Sequence, residues 1–93
     1  MERHAIRLTI RGQVQGVGYR AWAVEVARRA GLDGWVRNRW DGSVELLAIG
    51  EEAALEPLET ACRRGPAAAL VTSVDRVEAD DDDSVGFNSR PTT

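Results

Sequence analysis

The segment Gly12-Gln13-Val14-Gln15-Gly16-Val17-Gly18-Tyr19-Arg20 places three glycines within seven residues, just ahead of an arginine. Glycine lets the backbone take positive φ and approach a ligand closely. Successive N–H groups in such a turn, joined to a helix N-terminus, form an anion cradle. Arg20 at the helix start would reach back over that cradle and bind phosphate oxygens through two parallel N–H donors. On composition alone the same residues read equally as a tight turn with a solvated arginine. A Walker A loop is excluded, because no Lys-Ser or Lys-Thr follows the glycines. No thiol lies in the loop to act as a phosphatase nucleophile, and the glycine spacing misses the dinucleotide fingerprint. The second segment is Gly34-Trp35-Val36-Arg37-Asn38-Arg39-Trp40-Asp41-Gly42. The Asn38 carboxamide both accepts and donates, so it can hold a water in a fixed direction. Without the first loop it would read as a hairpin cap.

Chemistry by these two segments requires elements that bring them together. Ile6, Leu8 and Ile10 alternate with Arg7, Thr9 and Arg11, which predicts a half-buried strand. Ala23, Val26, Ala27 and Ala30 recur at helical spacing, and Gly31 is a stop. The second strand is predicted over Trp35–Trp40, with Asp41-Gly42 as a two-residue hairpin turn and a third strand over Ser43–Ile49. A second helix over Glu51–Arg64 places Leu55, Leu58 and Cys62 on one face. Pro57 requires that this helix either begin late, near Ala53 or Ala54, or bend. Val71, Val74 and Val77 are spaced by three in the fourth strand, Val71–Glu78, which predicts a bulge. Asp80–Asp83 reads as a solvated turn, and Gly86–Pro91 as a short edge strand. The order β-α-β-β-α-β predicts a ferredoxin-like α+β sandwich, an antiparallel sheet with two helices on one face. In that topology the first and second strands run parallel. The loop after the first and the end of the second therefore meet at one edge of the sheet.

GQVQGVGYR (Gly12–Arg20) and GWVRNRWDGSVE (Gly34–Glu45) together closely resemble the two signature motifs of the acylphosphatase family. RRGPAAA (Arg63–Ala69) and GFNSRPT (Gly86–Thr92) also look like that family, so the resemblance covers nearly the whole chain. Tyr19 stands where Phe is commoner, Trp40 is bulky for its position, and Pro57 interrupts the second helix. The resemblance implies that Arg20 is the phosphate-binding catalytic arginine and Asn38 the water-positioning asparagine. The reaction it implies is hydrolysis of an acyl phosphate to a carboxylate and phosphate. The leaving carboxylate is already stable as an anion near neutral pH, so no general acid is needed. What remains is to neutralise phosphoryl oxygens and align a water for in-line attack. The N–H groups of Gln15, Gly16, Val17, Gly18 and Tyr19 with Arg20 suit the first task, and Asn38 the second. This chemistry calls for no metal, no cofactor and no covalent intermediate. Arg11, Arg37 and Arg39 would add a positive field that draws in an anionic substrate. The alternative is an anion-binding or interaction module on the same fold that lacks turnover.

The 93 residues carry 12 arginines, no lysine and 15 acidic side chains, for a net charge of −3. One domain over residues 1–93 fits that length. The acidic balance argues against a general nucleic-acid binder. An RNA-binding sheet would need stacking aromatics, where the first strand offers only Arg7, Thr9 and Arg11. No apolar run approaches a membrane span and the N-terminus lacks signal-peptide character, so the expected location is cytoplasmic and the expected partner a small acyl phosphate, bound by a monomer. The single cysteine, Cys62, excludes an internal disulfide and reads as a buried, inert thiol. His4 reads as an exposed terminal residue, and Trp22, Trp35 and Trp40 as a cluster packed near the two motifs.

Overall fold

In the computed structural model, which describes residues 3–93, the alternating stretch at the start of the chain forms β1 (His4–Gln13). Its neighbours follow as α1 (Tyr19–Arg29), β2 (Asp33–Asn38), β3 (Val44–Gly50), α2 (Glu52–Arg64), β4 (Leu70–Ala79) and β5 (Phe87–Arg90). The sheet order is β4-β1-β3-β2-β5. β1 pairs antiparallel with β3 and β4, and β3 antiparallel with β2, so β1 and β2 run parallel as the topology requires. The sheet is mixed, however, because β5 pairs with β2 in parallel, Val36 opposite Ser89. Sequence pattern predicts the edge strand but not its partner, which is fixed by a crossing from the opposite edge.

Both helices lie on the face to which Ile6, Leu8, Ile10, Val36, Val44 and Leu46 point, and they bury Ala23, Ala27, Leu55, Leu58 and Cys62 against it. α1 stops in a Schellman motif: Leu32 N–H donates to Ala27 O at 3.0 Å and Gly31 N–H to Arg28 O at 3.1 Å, with Gly31 at φ 71°. Those bonds satisfy carbonyls that the last helical turn leaves without partners. α2 begins at Glu52, ahead of Pro57, with Glu51 O accepting from both Ala54 and Leu55. Pro57 sits in the exposed second turn, where the Ala53 carbonyl that loses its helical donor stands near water. The helix thus begins one residue ahead of the expected start near Ala53 and runs through the proline. Arg76 on β4 holds Glu52 and Glu59 at 3.0 Å each, which fastens α2 to the sheet.

The bulge in β4 is present. Arg11 pairs with Ser73 but Gly12 with Val71, leaving Thr72 extra. That insertion turns Val71 and Val74 to the helix face and leaves Val77 53% exposed on the other. β1 and β2 differ from expectation at the site end. β1 runs through Gln13 rather than stopping before Gly12, and β2 ends at Asn38 rather than Trp40. The hairpin loop has three residues, not two: Arg39 N–H donates to Ser43 O at 2.8 Å and Gly42 N–H to Arg39 O at 3.1 Å. Gly42 at φ 94° makes this a type I turn closed by a residue of positive φ, the usual three-residue solution.

The tryptophans do not cluster. Trp22 packs on the core beneath α1, edge-on to Tyr19 at 5.2 Å. Trp35 lies on the opposite sheet face with Ala5, Leu47 and Ile49. Trp40 is 82% exposed in the turn. The acidic run is exposed, as expected of a solvated segment, and it is also an anchored crossing: Asp81 takes Arg3 at 3.0 Å and Asp82 takes the Trp35 indole N–H at 3.1 Å. β4 and β5 occupy opposite edges, so this segment must traverse the sheet, and those contacts pin it there. His4 is half-buried and pairs with Gly50, correcting its reading as an exposed terminal residue. Among the described residues no helix is long and apolar enough to cross a membrane.

Candidate active site

The loop between β1 and α1 is anchored by Val14, which is 1% exposed, and by Val17, which packs against the core. Between these anchors Gly16 and Gly18 take φ 75° and 80°. In the left-handed region a side chain is strained, so glycine is what lets the chain curl here without cost. Gly18 is also the N-cap of α1, with no side chain to occupy the helix end. The first helical bond is Trp22 N–H to Gly18 O at 3.1 Å. The backbone N–H groups from Gln15 to Ala21 find no backbone acceptor among the described residues. A curl of unpaired N–H donors at a helix N-terminus binds anions through aligned dipoles.

A cavity of about 320 Å³ opens at this loop, lined by Val14, Gly16, Gly18, Tyr19, Arg20, Ala21, Asn38 and Ser89. The two segments singled out in the sequence therefore meet, as the parallel course of β1 and β2 demands. Arg20 is half-buried, and its side chain forms no ion pair or hydrogen bond with any described residue. Its charge is left available to a ligand in the cavity. Asn38 ends β2 opposite Val44, and its carbonyl accepts from Thr93 N–H at 3.1 Å. Its Oδ1 is buried and accepts no hydrogen bond from the described residues. Leaving a buried acceptor unpaired costs about 1–3 kcal/mol. Native proteins seldom retain such a group without a use for it.

Of the residues assigned to substrate binding, Gly16, Gly18 and Tyr19 line the cavity, while Gln15 and Val17 do not. Val17 turns to the core. The Gln15 side chain turns to the hairpin, where its Nε2 donates to Arg39 O at 2.8 Å and Ser43 O at 2.9 Å. Tyr19 contributes to the wall, but its hydroxyl points away and donates to Cys62 O at 2.7 Å. Burial pushes the Tyr19 phenol well above its ordinary range, and proximity to Cys62 adds to that. Burial likewise pushes the Cys62 thiol up to about 11, which keeps it protonated and inert. Among the described residues no three His, Cys, Asp or Glu side chains converge to hold a metal ion.

Sequence reading missed three lining residues: Val14 and Ala21, which flank the assigned loop residues, and Ser89, which comes from outside both motifs. Ser89 lay in the family-like tail GFNSRPT and in an edge strand whose neighbour was unknown, and the parallel β2–β5 pairing is what delivers it to the cavity. The positive field expected of Arg11, Arg37 and Arg39 is reduced but not removed, since two carboxylates, Glu45 and Asp41, face four guanidinium groups once Arg7 is included. Glu45 on β3 stands between them and pairs with Arg37 at 2.7 Å and Arg39 at 3.5 Å, while Arg11 faces Asp41 at 3.8 Å. Asp41 is itself held below the usual carboxylate range, first by hydrogen bonds from Ser43 and then by Arg11 and Arg39.

Known proteins share both the sequence and this backbone. A model of the acylphosphatase family matches residues 6–89. An acylphosphatase of Rhizorhabdus wittichii is 47% identical over 91 residues, covering 98% of this chain and 92% of the relative. One from Acidiphilium cryptum is 49% identical over 88 residues, covering 95% and 97%. The solved structure of an acylphosphatase from Coxiella burnetii superposes with a TM-score of 0.91 at 35% identity, over 95% of this chain and 93% of that one. With a family match over most of its length and relatives near half identity from end to end, the chain belongs to the acylphosphatase family.

Proposed function

We propose that this acylphosphatase hydrolyses the carboxyl-phosphate bond of small acyl phosphates with Arg20 and Asn38 as its catalytic residues. The phosphoryl group sits in the curl of N–H donors from Gln15 to Tyr19, with the Arg20 guanidinium closing over its remaining oxygens. A water held by Asn38 attacks phosphorus in line; a new P–O bond forms as the bond between phosphorus and the bridging acyl oxygen breaks. The acyl group leaves as a carboxylate, whose ordinary pKa of about 4 makes protonation unnecessary. The proton of the attacking water passes to that carboxylate or to phosphate and then to solvent. The observation that carries this reading is the buried Asn38 Oδ1, which no described residue satisfies, on the wall shared with Arg20. A water's O–H would satisfy that acceptor and at the same time fix the direction of its lone pair. Positioning and preorganised charge supply the rate, with little covalent work for the protein. We assign the whole chain to one domain acting as a monomer, with the Arg20 charge and the backbone dipoles doing the work a metal would otherwise do.

The test is steady-state hydrolysis of benzoyl phosphate, with EDTA present, by the wild type and by folded Arg20→Ala and Asn38→Ala. The expected result is EDTA-insensitive turnover that both substitutions lower by about 100-fold or more, the scale of losing an electrostatic or orienting group. If only Arg20→Ala were impaired, the role given to Asn38 would fall. If the folded wild type bound phosphate without turning over, the cradle would be a binding site and the alternative of a non-catalytic module would stand.

A further inference from the structure

We infer that the Gln15 side chain sets the spacing between the phosphate cradle and Asn38, and so acts as a positioning residue for hydrolysis. This rests on the reading of the site given above. The in-line geometry is a relation between two separate elements, because the cradle belongs to the β1–α1 loop and Asn38 to the end of β2. Gln15 lies inside the cradle and joins the two. Its Nε2 donates to Arg39 O at 2.8 Å and to Ser43 O at 2.9 Å, so both amide hydrogens are engaged. Those carbonyls mark the two sides of the hairpin neck, where Arg39 N–H already donates to Ser43 O at 2.8 Å. Arg39 directly follows Asn38, so the clamp acts one peptide from the carboxamide. No other side chain between Val14 and Gly18 hydrogen-bonds to the hairpin, and Gln15 does not line the cavity. The side chain's influence on the chemistry therefore runs through placement alone, while the Gln15 backbone N–H stays with the cradle.

The residue type suits the task. A primary amide offers two hydrogens from one nitrogen, which is what two neighbouring carbonyls require. Glutamate has the same reach but no donor, and it would set a carboxylate against two carbonyl oxygens. Methionine has the reach and no polarity. Asparagine keeps the donors but is one methylene short. With the clamp removed, cradle and hairpin retain their own folds while the distance between them relaxes. A misplacement of about 1 Å costs a reaction of this kind up to about 100-fold.

The experiment measures benzoyl phosphate hydrolysis and competitive inhibition by inorganic phosphate in the wild type, Gln15→Met, Gln15→Glu and Gln15→Asn. Thermal melts identify which variants are folded. The expected result is a fall in kcat of about 10-fold or more, with the phosphate inhibition constant within about 3-fold, because the cradle survives while the water's aim does not. In the Asn38→Ala background Gln15→Met should then change kcat by less than about 2-fold, since residues that act through one another are not additive. A wild-type kcat in folded Gln15→Met, with or without a lowered melting temperature, would overturn the inference and leave Gln15 a structural strut. So would an equal loss with and without Asn38. Should Gln15→Met fail to fold, Gln15→Asn carries the same comparison. Absence of turnover in the folded wild type would instead sink the hydrolase reading and take this inference with it.

Discussion

Tyr19→Phe isolates a single hydroxyl whose work the structure makes explicit. In a continuing helix the Cys62 carbonyl would accept from the N–H of residue 66, but residue 66 is proline and has none. The Tyr19 hydroxyl takes that place at 2.7 Å, and Tyr19 is only 1% exposed. Phenylalanine keeps the ring packing and its edge-on contact with Trp22, so the change is confined to one donor. Stranding the carbonyl costs about 1–3 kcal/mol, partly offset because the hydroxyl no longer has to be desolvated; a net loss of about 1–2 kcal/mol is expected. For a domain of this size each kcal/mol moves Tm by about 4–8 °C, which sets the expected drop at about 5–15 °C. Circular-dichroism melts of the two proteins measure it, and kcat for benzoyl phosphate should stay within about 3-fold because the hydroxyl faces α2. The sign with pH also follows. The phenol is raised above its unfolded value of 10.0, so its contribution is complete below that pH and is lost as pH rises beyond it. The alkaline fall in stability should be shallower in Tyr19→Phe. An unchanged Tm would refute the assignment of the hydroxyl to Cys62 O. An unchanged Tm with a collapse in kcat would move the hydroxyl into the chemistry.

Two further outcomes follow from the charge and burial of α2. The Glu59 carboxyl is held below its unfolded value of 4.5 by hydrogen bonds from Arg63 and then Arg76. A depressed acid stabilises the fold above that value and loses its contribution as pH falls through the folded one. Urea midpoints measured from pH 5.5 down to 3 should therefore fall less steeply in Glu59→Gln than in the wild type. Cys62 is fully buried with its thiol pushed up to about 11. Ellman's reagent should leave the native protein unlabelled on the timescale that labels it fully in guanidinium; fast native labelling would show that α2 opens locally.

The parts of this fold that were legible in sequence are those fixed by local pattern. Ile6, Leu8 and Ile10 face the core because strand side chains alternate, and Leu55, Leu58 and Cys62 do so because helical positions recur every three to four residues. The valines of β4 declared a bulge because a spacing of three fits no regular strand. What the pattern could not supply were pairings and contacts between distant segments. The parallel docking of β5 on β2 is one, and it determines that Ser89 reaches the cavity. The destinations of the tryptophans are another: Trp35 has a residue type suited to either face, and strand parity sends it away from Trp22. The loop of the β2–β3 hairpin was misread by one residue, since Asp-Gly serves both as a two-residue turn and as the end of a three-residue one. The hairpin therefore closes at Arg39 and Ser43, and the paired strand β2 ends at Asn38, two residues short of Trp40.

That shift bears on function as well as on boundaries. With β2 ending at Asn38, its last paired residue carries the carboxamide, the strand fixes its backbone, and the turn beginning at Arg39 presents carbonyls to Gln15. The chemistry-bearing residue types are therefore readable from two short motifs, but their relation is not, because 24 residues separate Gln15 from Arg39 and 28 separate it from Ser43. Arg20 and Asn38 need no contact with each other for the reaction; each needs a fixed place relative to the phosphorus. The core supplies half of that requirement, through Val14 and Val17 beneath the loop and Val36 and Val44 beneath the strand. The Gln15 clamp supplies the other half at the surface, where a small domain has little core left to spend on rigidity. A site divided between two elements is thus held by apolar packing below and one amide above, and the amide can be removed without unmaking the fold.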